Sequence, residues 1–391
     1  MISDPNKTRK IVGLFQHDEL LHIHFYNLAF NLSEHYTVYV FTLNQNLNTP
    51  KHVDLNSLTN VTFVNYRQND HLIFQPKRIL HKLGLIKESL FLSELTYLIN
   101  KKKIKFDFLL GVEKKGLALM NRVHAPNSTK IYFSVDLYKV PHFPTPYDFN
   151  ALRSLEIKYH HRCDYTIIQD KNRALHIADY NNVDFQKMKW IYLPASVKGD
   201  SNSAKSTYLY KRLNLDSDKK IILNYGMVAE RRSSVEVAKV LNGLDSQYIP
   251  VFHTRVNKEV VDKISSFENI FLSQDFVEEK DLNNVISSAY IGISIYNNDD
   301  DNNKLTIVSS ERNARYCQNG IPFICLYSEE TNHIYKEMKF FEMVKSLEDI
   351  PRAIDKIHNN YSVYRQNAFD AFNKYYSFDN NFQKVLKALN N

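Results

Sequence analysis

Short apolar runs alternate with helical patterns along the chain, and the alternation breaks once before restarting. No other feature limits the fold as strongly. In the first half, "KIVGLF" (Lys10–Phe15), "YTVYVFTL" (Tyr36–Leu43), "VTFVNY" (Val61–Tyr66), "FDFLLGV" (Phe106–Val112), "KIYFSVD" (Lys130–Asp136), "DYTIIQ" (Asp164–Gln169) and "MKWIYLP" (Met188–Pro194) read as strands. They are rich in β-branched and aromatic residues and show little polar alternation, as expected of strands buried on both faces. Stretches of helical period lie between them, at His22–His35, Arg78–Asn100 and Tyr147–Arg162. Strands that alternate with helices predict a parallel sheet covered on both sides. The polar stretch Ser196–Lys220 interrupts the pattern and reads as a linker with a short helix.

The pattern then resumes. "KIILNYG" (Lys220–Gly226), "YIPVFHT" (Tyr248–Thr254), "NIFLSQ" (Asn269–Gln274), "YIGISIY" (Tyr290–Tyr296) and "IPFICLY" (Ile321–Tyr327) are strands. Ser233–Leu244, Asn257–Phe267, Glu278–Ser288 and Ser310–Gln318 are helices, and Ile350–Leu389 is largely helical. The expectation is an α/β protein of two tandem doubly wound, Rossmann-like domains facing across a cleft. A chain of 391 residues has room for both cores. The expected domains are 1–197, 198–372 and a closing helix in 373–391. Ligands of such sheets bind beyond the carboxyl ends of the strands. The loops after Phe15, Val112, Asp136, Gly226, Thr254 and Tyr296 are therefore the places to look.

Several chemistries are excluded by what is missing. The chain has only nine glycines, far below the usual ~7% frequency. The loop after the first strand, "QHDELLH" (Gln16–His22), is not a dinucleotide fingerprint, and there is no P-loop. Neither a G-x-S-x-G elbow nor an H-E-x-x-H helix occurs. "NNDDDNNK" (Asn297–Lys304) lacks the ligand alternation of a calcium loop and reads as a flexible polar loop. "HIH" (His22–His24) and "HHRCD" (His160–Asp164) lack zinc spacing and read as helix-surface or capping residues. No metal site is expected. Three cysteines without pattern suggest reduced thiols, with Cys317 and Cys325 as packing residues. The first residues lack a signal-peptide apolar core, and no run of about 20 apolar residues occurs, so a cytoplasmic protein is expected. The net charge of +7 favours anionic partners. It is too evenly spread to favour nucleic acid.

Two segments carry a phosphate reading. "NYGMVAERRSS" (Asn224–Ser234) follows the first strand of the second half. Gly226 allows a tight turn there. Arg231 and Arg232 precede a helix for which Ser233 is a candidate N-cap. "SSERNARYCQNGIPFIC" (Ser309–Cys325) opens with Ser309 or Ser310 as the cap and Glu311 in the first turn. Arg312 and Arg315 lie three residues apart on one face. Basic residues in a first turn oppose the helix dipole, and a bound anion would explain their placement. Thr254 also falls at a strand end. For acid–base work, His17, Asp18, Glu19, Glu113 and Asp136 follow strand ends; Asp136 and Glu113 are the preferred catalytic candidates.

The order of these segments resembles the GT-B glycosyltransferases, and most nearly the large retaining group called glycosyltransferase family 4. "MKWIYLPASVK" is similar to the family's strand and Pro-Asn-Gly before its linker, with Ala195-Ser196 in place of Asn-Gly. "IILNYGMVAERRS" resembles its strand, Gly-Arg and Lys-Gly segment, with Met227 at the arginine and Arg232 at the diphosphate-binding lysine. "NIFLSQDFVEEKDLNNVISSAYIGISIY" resembles the passage of strand, Glu-rich helix start and next strand that follows. "SSERNARYCQNGIPFI" resembles its Glu-Ala-Met-Ala helix and strand, and "YYSFDNNFQKVL" its closing helix. Ile307 and Arg315 stand where the family often carries two glutamates.

The resemblance implies a hexosyltransferase that takes a UDP- or GDP-linked sugar as co-substrate, needs no other cofactor or metal, and retains configuration. It implies a glycan, lipid-linked or protein acceptor, polysaccharide biosynthesis, and peripheral contact with the anionic inner face of the cell membrane. Gly226, Arg231, Arg232, Thr254, Ser309, Ser310, Glu311, Arg312 and Arg315 would hold the donor, and Asp136 or Glu113 would meet the acceptor. A nucleotide-sugar epimerase on the same fold and a non-catalytic accessory protein are the alternatives.

Overall fold

The computed structural model describes residues 9–16, 23–42, 59–65, 79, 83, 96–97, 99–101, 103–137, 149–229, 232–254, 258–297 and 301–390. The chain divides into two compact units, Met1–Tyr192 with Val385–Asn391, and Leu193–Lys384.

Seven parallel strands build the first unit: β1 (Ile11–Phe15), β2 (Thr37–Thr42), β3 (Val61–Asn65), β4 (Phe108–Val112), β5 (Thr129–Phe133), β6 (Tyr165–Ile168) and β7 (Lys189–Tyr192). Their order is β3-β2-β1-β4-β5-β6-β7, so the chain winds outwards from β1 and then back out from β4. The carboxyl ends of β1 and β4 are the switch point, where such sheets hold their ligands. Helix Glu113–Met120 starts directly after β4. It lies so close to β1 that a Cβ on Gly116 would run into the carbonyl of Phe15.

Six parallel strands build the second unit: β8 (Lys220–Tyr225), β9 (Tyr248–His253), β10 (Phe271–Ser273), β11 (Ile291–Ile293), β12 (Phe323–Leu326) and β13 (Phe341–Val344), in the order β10-β9-β8-β11-β12-β13. Its switch point lies between β8 and β11. Side chains alternate between two cores, with Ile221 and Leu223 of β8 in one and Ile222 in the other. This is why the strands read as unbroken apolar runs.

The sheets are the parallel, helix-covered α/β domains that the alternation predicts. Strand β13 was not anticipated. It is four residues long and carries a buried Glu342, which accepts hydrogen bonds from Tyr335, Tyr364 and Lys356. A charge pointing inwards hides a strand from hydropathy. Two further corrections concern polar residues. Asp301–Lys304 forms a short helix rather than a loop, although Asn298–Asp300 of the same run lie outside the described residues. His160 is a core residue and not a surface one. It is fully buried, with Nε2 2.8 Å from Thr166 Oγ1 and Nδ1 3.0 Å from Asn181 Nδ2. His22 and the side chain of His24 lie outside the described residues.

Burial lowers the pKa of His160 to about 4, with His161 and Lys114 adding repulsion. A histidine depressed below its unfolded value of ~6.5 favours folding above that pH, and its contribution fades as pH falls towards 4. Roughly 3 kcal/mol is expected to be lost across that window. Urea unfolding followed by the emission of Trp190, which lies 6.0 Å edge-on from the His160 ring, is the measurement. The His160→Gln protein should lose less stability over the same window, and parallel pH profiles for the two proteins would contradict this assignment.

Candidate functional site

The switch point of the second unit gathers most of the residues singled out above. Strand β8 ends at Tyr225, and Gly226 turns the chain with φ of +99°, a region costly for any side chain. A Cβ there would sit 3.3 Å from Nη2 of Arg312, so the glycine also makes room for the guanidinium. Arg312 comes from helix Glu311–Gln318, whose cap is Ser310: its Oγ accepts from the Asn313 backbone N–H at 3.4 Å. Asn313 is itself fixed, accepting from Ser294 Oγ at 2.5 Å and donating to the Ile307 carbonyl at 3.2 Å. The first turn of this helix is therefore held rigidly just beyond β11.

Arg312 is 6% exposed. Its guanidinium lies over the rings of Tyr225 (5.9 Å) and Tyr296 (5.4 Å), and Nη1 reaches the Ile293 carbonyl only at 3.5 Å. No carboxylate pairs with it among the described residues. Arg232 approaches the same Tyr296 ring, at 5.1 Å, and donates to the Met227 carbonyl at 3.3 Å. The Tyr296 hydroxyl meets Ser310 Oγ at 2.9 Å. Burial pushes the Tyr296 phenol up, but the guanidinium groups of Arg312 and Arg232 outweigh it, and the net shift is downwards. The site is thus electropositive and lined with aromatic faces.

The other residues fall in defined places. Arg315 is buried and grips Glu311 one turn earlier, with Nε and Nη2 both 2.7 Å from Oε1. Ser309 turns its hydroxyl back to the Leu305 carbonyl, 2.9 Å away, and leaves capping to Ser310. Ser233 does not cap its helix, contrary to expectation; it has φ of +48° and donates its hydroxyl to Asn297 Oδ1 at 2.7 Å. Thr254 follows β9 and is 2% exposed, and its hydroxyl has no hydrogen-bond partner among the described residues. Arg231 lies outside the described residues, as do His17, Asp18 and Glu19.

In the first unit, Glu113 stands at the switch point with φ of +58°, a strained value for a side chain of its size. Oε1 accepts from the backbone N–H groups of Val135 (2.6 Å) and Asp136 (3.0 Å), and Oε2 from Lys114 Nζ (2.9 Å). Lys114, 2% exposed, also donates to the Asp136 carbonyl and lies 3.9 Å from Glu156. Burial raises the Glu113 pKa, partly offset by Lys114. Gln169 and Arg173 bind the carbonyls of Ser134 and Val135. Four side chains thus hold residues 134–136 in one conformation, with Asp136 half-buried at the carboxyl end of β5. Both carboxylate oxygens of Glu113 are engaged in these bonds.

Sequence reasoning missed Tyr225, Tyr296, Ser294 and Asn313. The two tyrosines carry one available signal: Tyr225 is the last residue of β8 and Tyr296 follows β11 by three residues, both at the switch point. The Glu311–Arg315 pair was also readable, since a glutamate four residues before an arginine is a favourable helix spacing.

No protein-family model matches the chain, and no curated protein sequence matches it. Solved structures do. HepE from Anabaena in complex with UDP and glucose superposes with a TM-score of 0.70 at 9% identity, over 98% of this chain and 99% of that one. Sucrose-phosphate synthase from Thermosynechococcus elongatus gives 0.68 at 11%, over 97% and 98%. A TarM variant from S. aureus bound to fondaparinux, α-GlcNAc-glycerol and UDP gives 0.63 at 12%, over 98% and 100%. At these identities the likeness is one of fold: two tandem Rossmann-like domains, the GT-B architecture.

Proposed function

We propose that this chain is a glycosyltransferase that uses a nucleotide-activated sugar, akin to the retaining glycosyltransferase family 4. The observation that carries the reading is Arg312, a guanidinium 6% exposed at the switch point with no carboxylate partner among the described residues. A buried cation is costly unless an anion neutralises it. A nucleoside diphosphate does so, and Arg232 and the amide groups at the start of helix Glu311–Gln318 add donors to the same anion. As the glycosidic bond breaks, negative charge gathers on the leaving diphosphate. Donors already in place stabilise it without reorganisation, and the chemistry needs no metal.

Glu311, steadied by Arg315, offers a carboxylate to the ribose hydroxyls from one turn earlier than in relatives. The unsatisfied Thr254 hydroxyl is a further donor-side contact. Asp136, held by its backbone to Glu113 and Lys114, orients or deprotonates the acceptor hydroxyl of a glycan, lipid-linked or protein acceptor. A UDP-linked hexose is the first choice of donor, because HepE and TarM, which share the fold, were solved with UDP.

Thermal unfolding in the presence of UDP, GDP and CDP tests the reading. One nucleotide at a hundred times its Kd should raise the melting temperature by roughly 5–10 °C. No response to any of the three would overturn it. Conversion of a UDP-sugar into an isomer without acceptor would replace transfer by epimerisation. No helix among the described residues is long and apolar enough to cross a membrane.

A further inference from the structure

We propose that Tyr296 is the positioning residue that makes one diphosphate clamp of Arg312 and Arg232. This inference rests on the donor-site reading above and names the residue on which its affinity depends. The two arginines come from different segments, one after β8 and one after β11. Like charges brought to one place repel, and nothing in either segment alone directs both to the same anion. They share one partner: each guanidinium lies within 5.4 Å of the Tyr296 ring centroid. The negative face of an aromatic ring attracts a guanidinium most where water is scarce, and Arg312 is buried there.

The ring itself is fixed at both ends. Its backbone follows β11 by three residues, and its hydroxyl is tied to Ser310, the cap of the helix that carries Arg312. Movement of that helix start would therefore move the ring and both cations together. The depressed phenol pKa agrees with this geometry, since both arginines act on the same hydroxyl. Tyr225 adds a second ring beneath Arg312. Tyr296 lies against both guanidinium groups.

The test compares Tyr296→Met, which keeps bulk without an aromatic face, with Tyr296→Phe, which keeps the face without the hydroxyl. Calorimetric binding of UDP, inorganic pyrophosphate and uridine is measured for each, together with the melting temperature. The methionine variant should bind UDP and pyrophosphate about tenfold to a hundredfold more weakly, with uridine unchanged. The phenylalanine variant should restore binding to within about threefold of wild type. Equal losses for uridine and UDP, or equal losses in both variants, would overturn the inference. Tight binding by both variants would do so as well. If the methionine variant melts well below wild type, Tyr296→Leu with the same ligands decides on the same criteria. Wild-type protein that binds neither UDP, GDP nor pyrophosphate would remove the donor-site reading itself, and this inference with it. Wild-type binding with no effect in the methionine variant removes only the role of Tyr296.

Discussion

Replacing Arg312 by methionine is expected to weaken UDP binding by about a hundredfold to a thousandfold, the usual cost of removing a buried charged donor from an anion site. The unligated protein should be no less stable. Methionine keeps an unbranched apolar stem, while the substitution removes a buried cation that has no carboxylate beside it among the described residues. The two effects have opposite consequences for a melting curve. Without nucleotide the variant should melt at or above the wild-type temperature, and with UDP it should gain little. Calorimetry and thermal unfolding read the two terms separately. A variant that melts far lower and still binds UDP would make Arg312 a scaffold residue and leave the donor site without its anchor.

The largest effect on stability is expected in the other unit. Lys114→Met strips the ammonium that serves Glu113, Glu156 and the Asp136 carbonyl. Glu113 and Glu156 then lose the counter-charge they share, and breaking a buried pair costs about 3–5 kcal/mol. The sign of its pH dependence identifies the cause. Burial already raises the Glu113 pKa and Lys114 offsets part of that, so without Lys114 Glu113 ionises only at higher pH and the deficit relative to wild type should shrink as pH falls from 8 to 5. A deficit that is the same at every pH would mean lost packing rather than stranded charge. Urea unfolding at several pH values, always compared with wild type at the same pH, gives the answer.

The sequence carried the architecture because both sheets are buried on two faces. Ile221 and Ile222 point into different cores, yet both are isoleucine, so the strand appears as a plain apolar run. Strand β13 lacked that mark, because Glu342 is buried and satisfied by partners distant in sequence. The cation proposed to anchor the donor is legible for a different reason. Arg312, in the first turn of its helix, runs against the dipole and asks for an explanation. The tyrosines that hold it were not legible, since a cation over a ring depends on tertiary approach rather than on spacing. Glu113 shows the same limit. Its position after β4 marks an acid–base candidate, and only the fold brings its oxygens to the Val135 and Asp136 amides. His160 was misread because its partners, Thr166 and Asn181, are brought to it by the fold.

The division of the chain has a consequence for how it is made. Unit one takes in Val385–Asn391, whereas everything from Leu193 to Lys384 belongs to unit two. Val385, Leu386 and Leu389 are buried, and Asn390 Oδ1 accepts from the Tyr36 hydroxyl at 3.2 Å. During synthesis the first 192 residues emerge early, and domains generally fold in that order. Here the first unit must wait for Val385–Asn391, almost two hundred residues further along the chain, before its surface is complete. Until the ribosome has passed Val385, the apolar ground that those side chains cover stays open to chaperones, and a transcript broken before that codon yields a first unit that never closes.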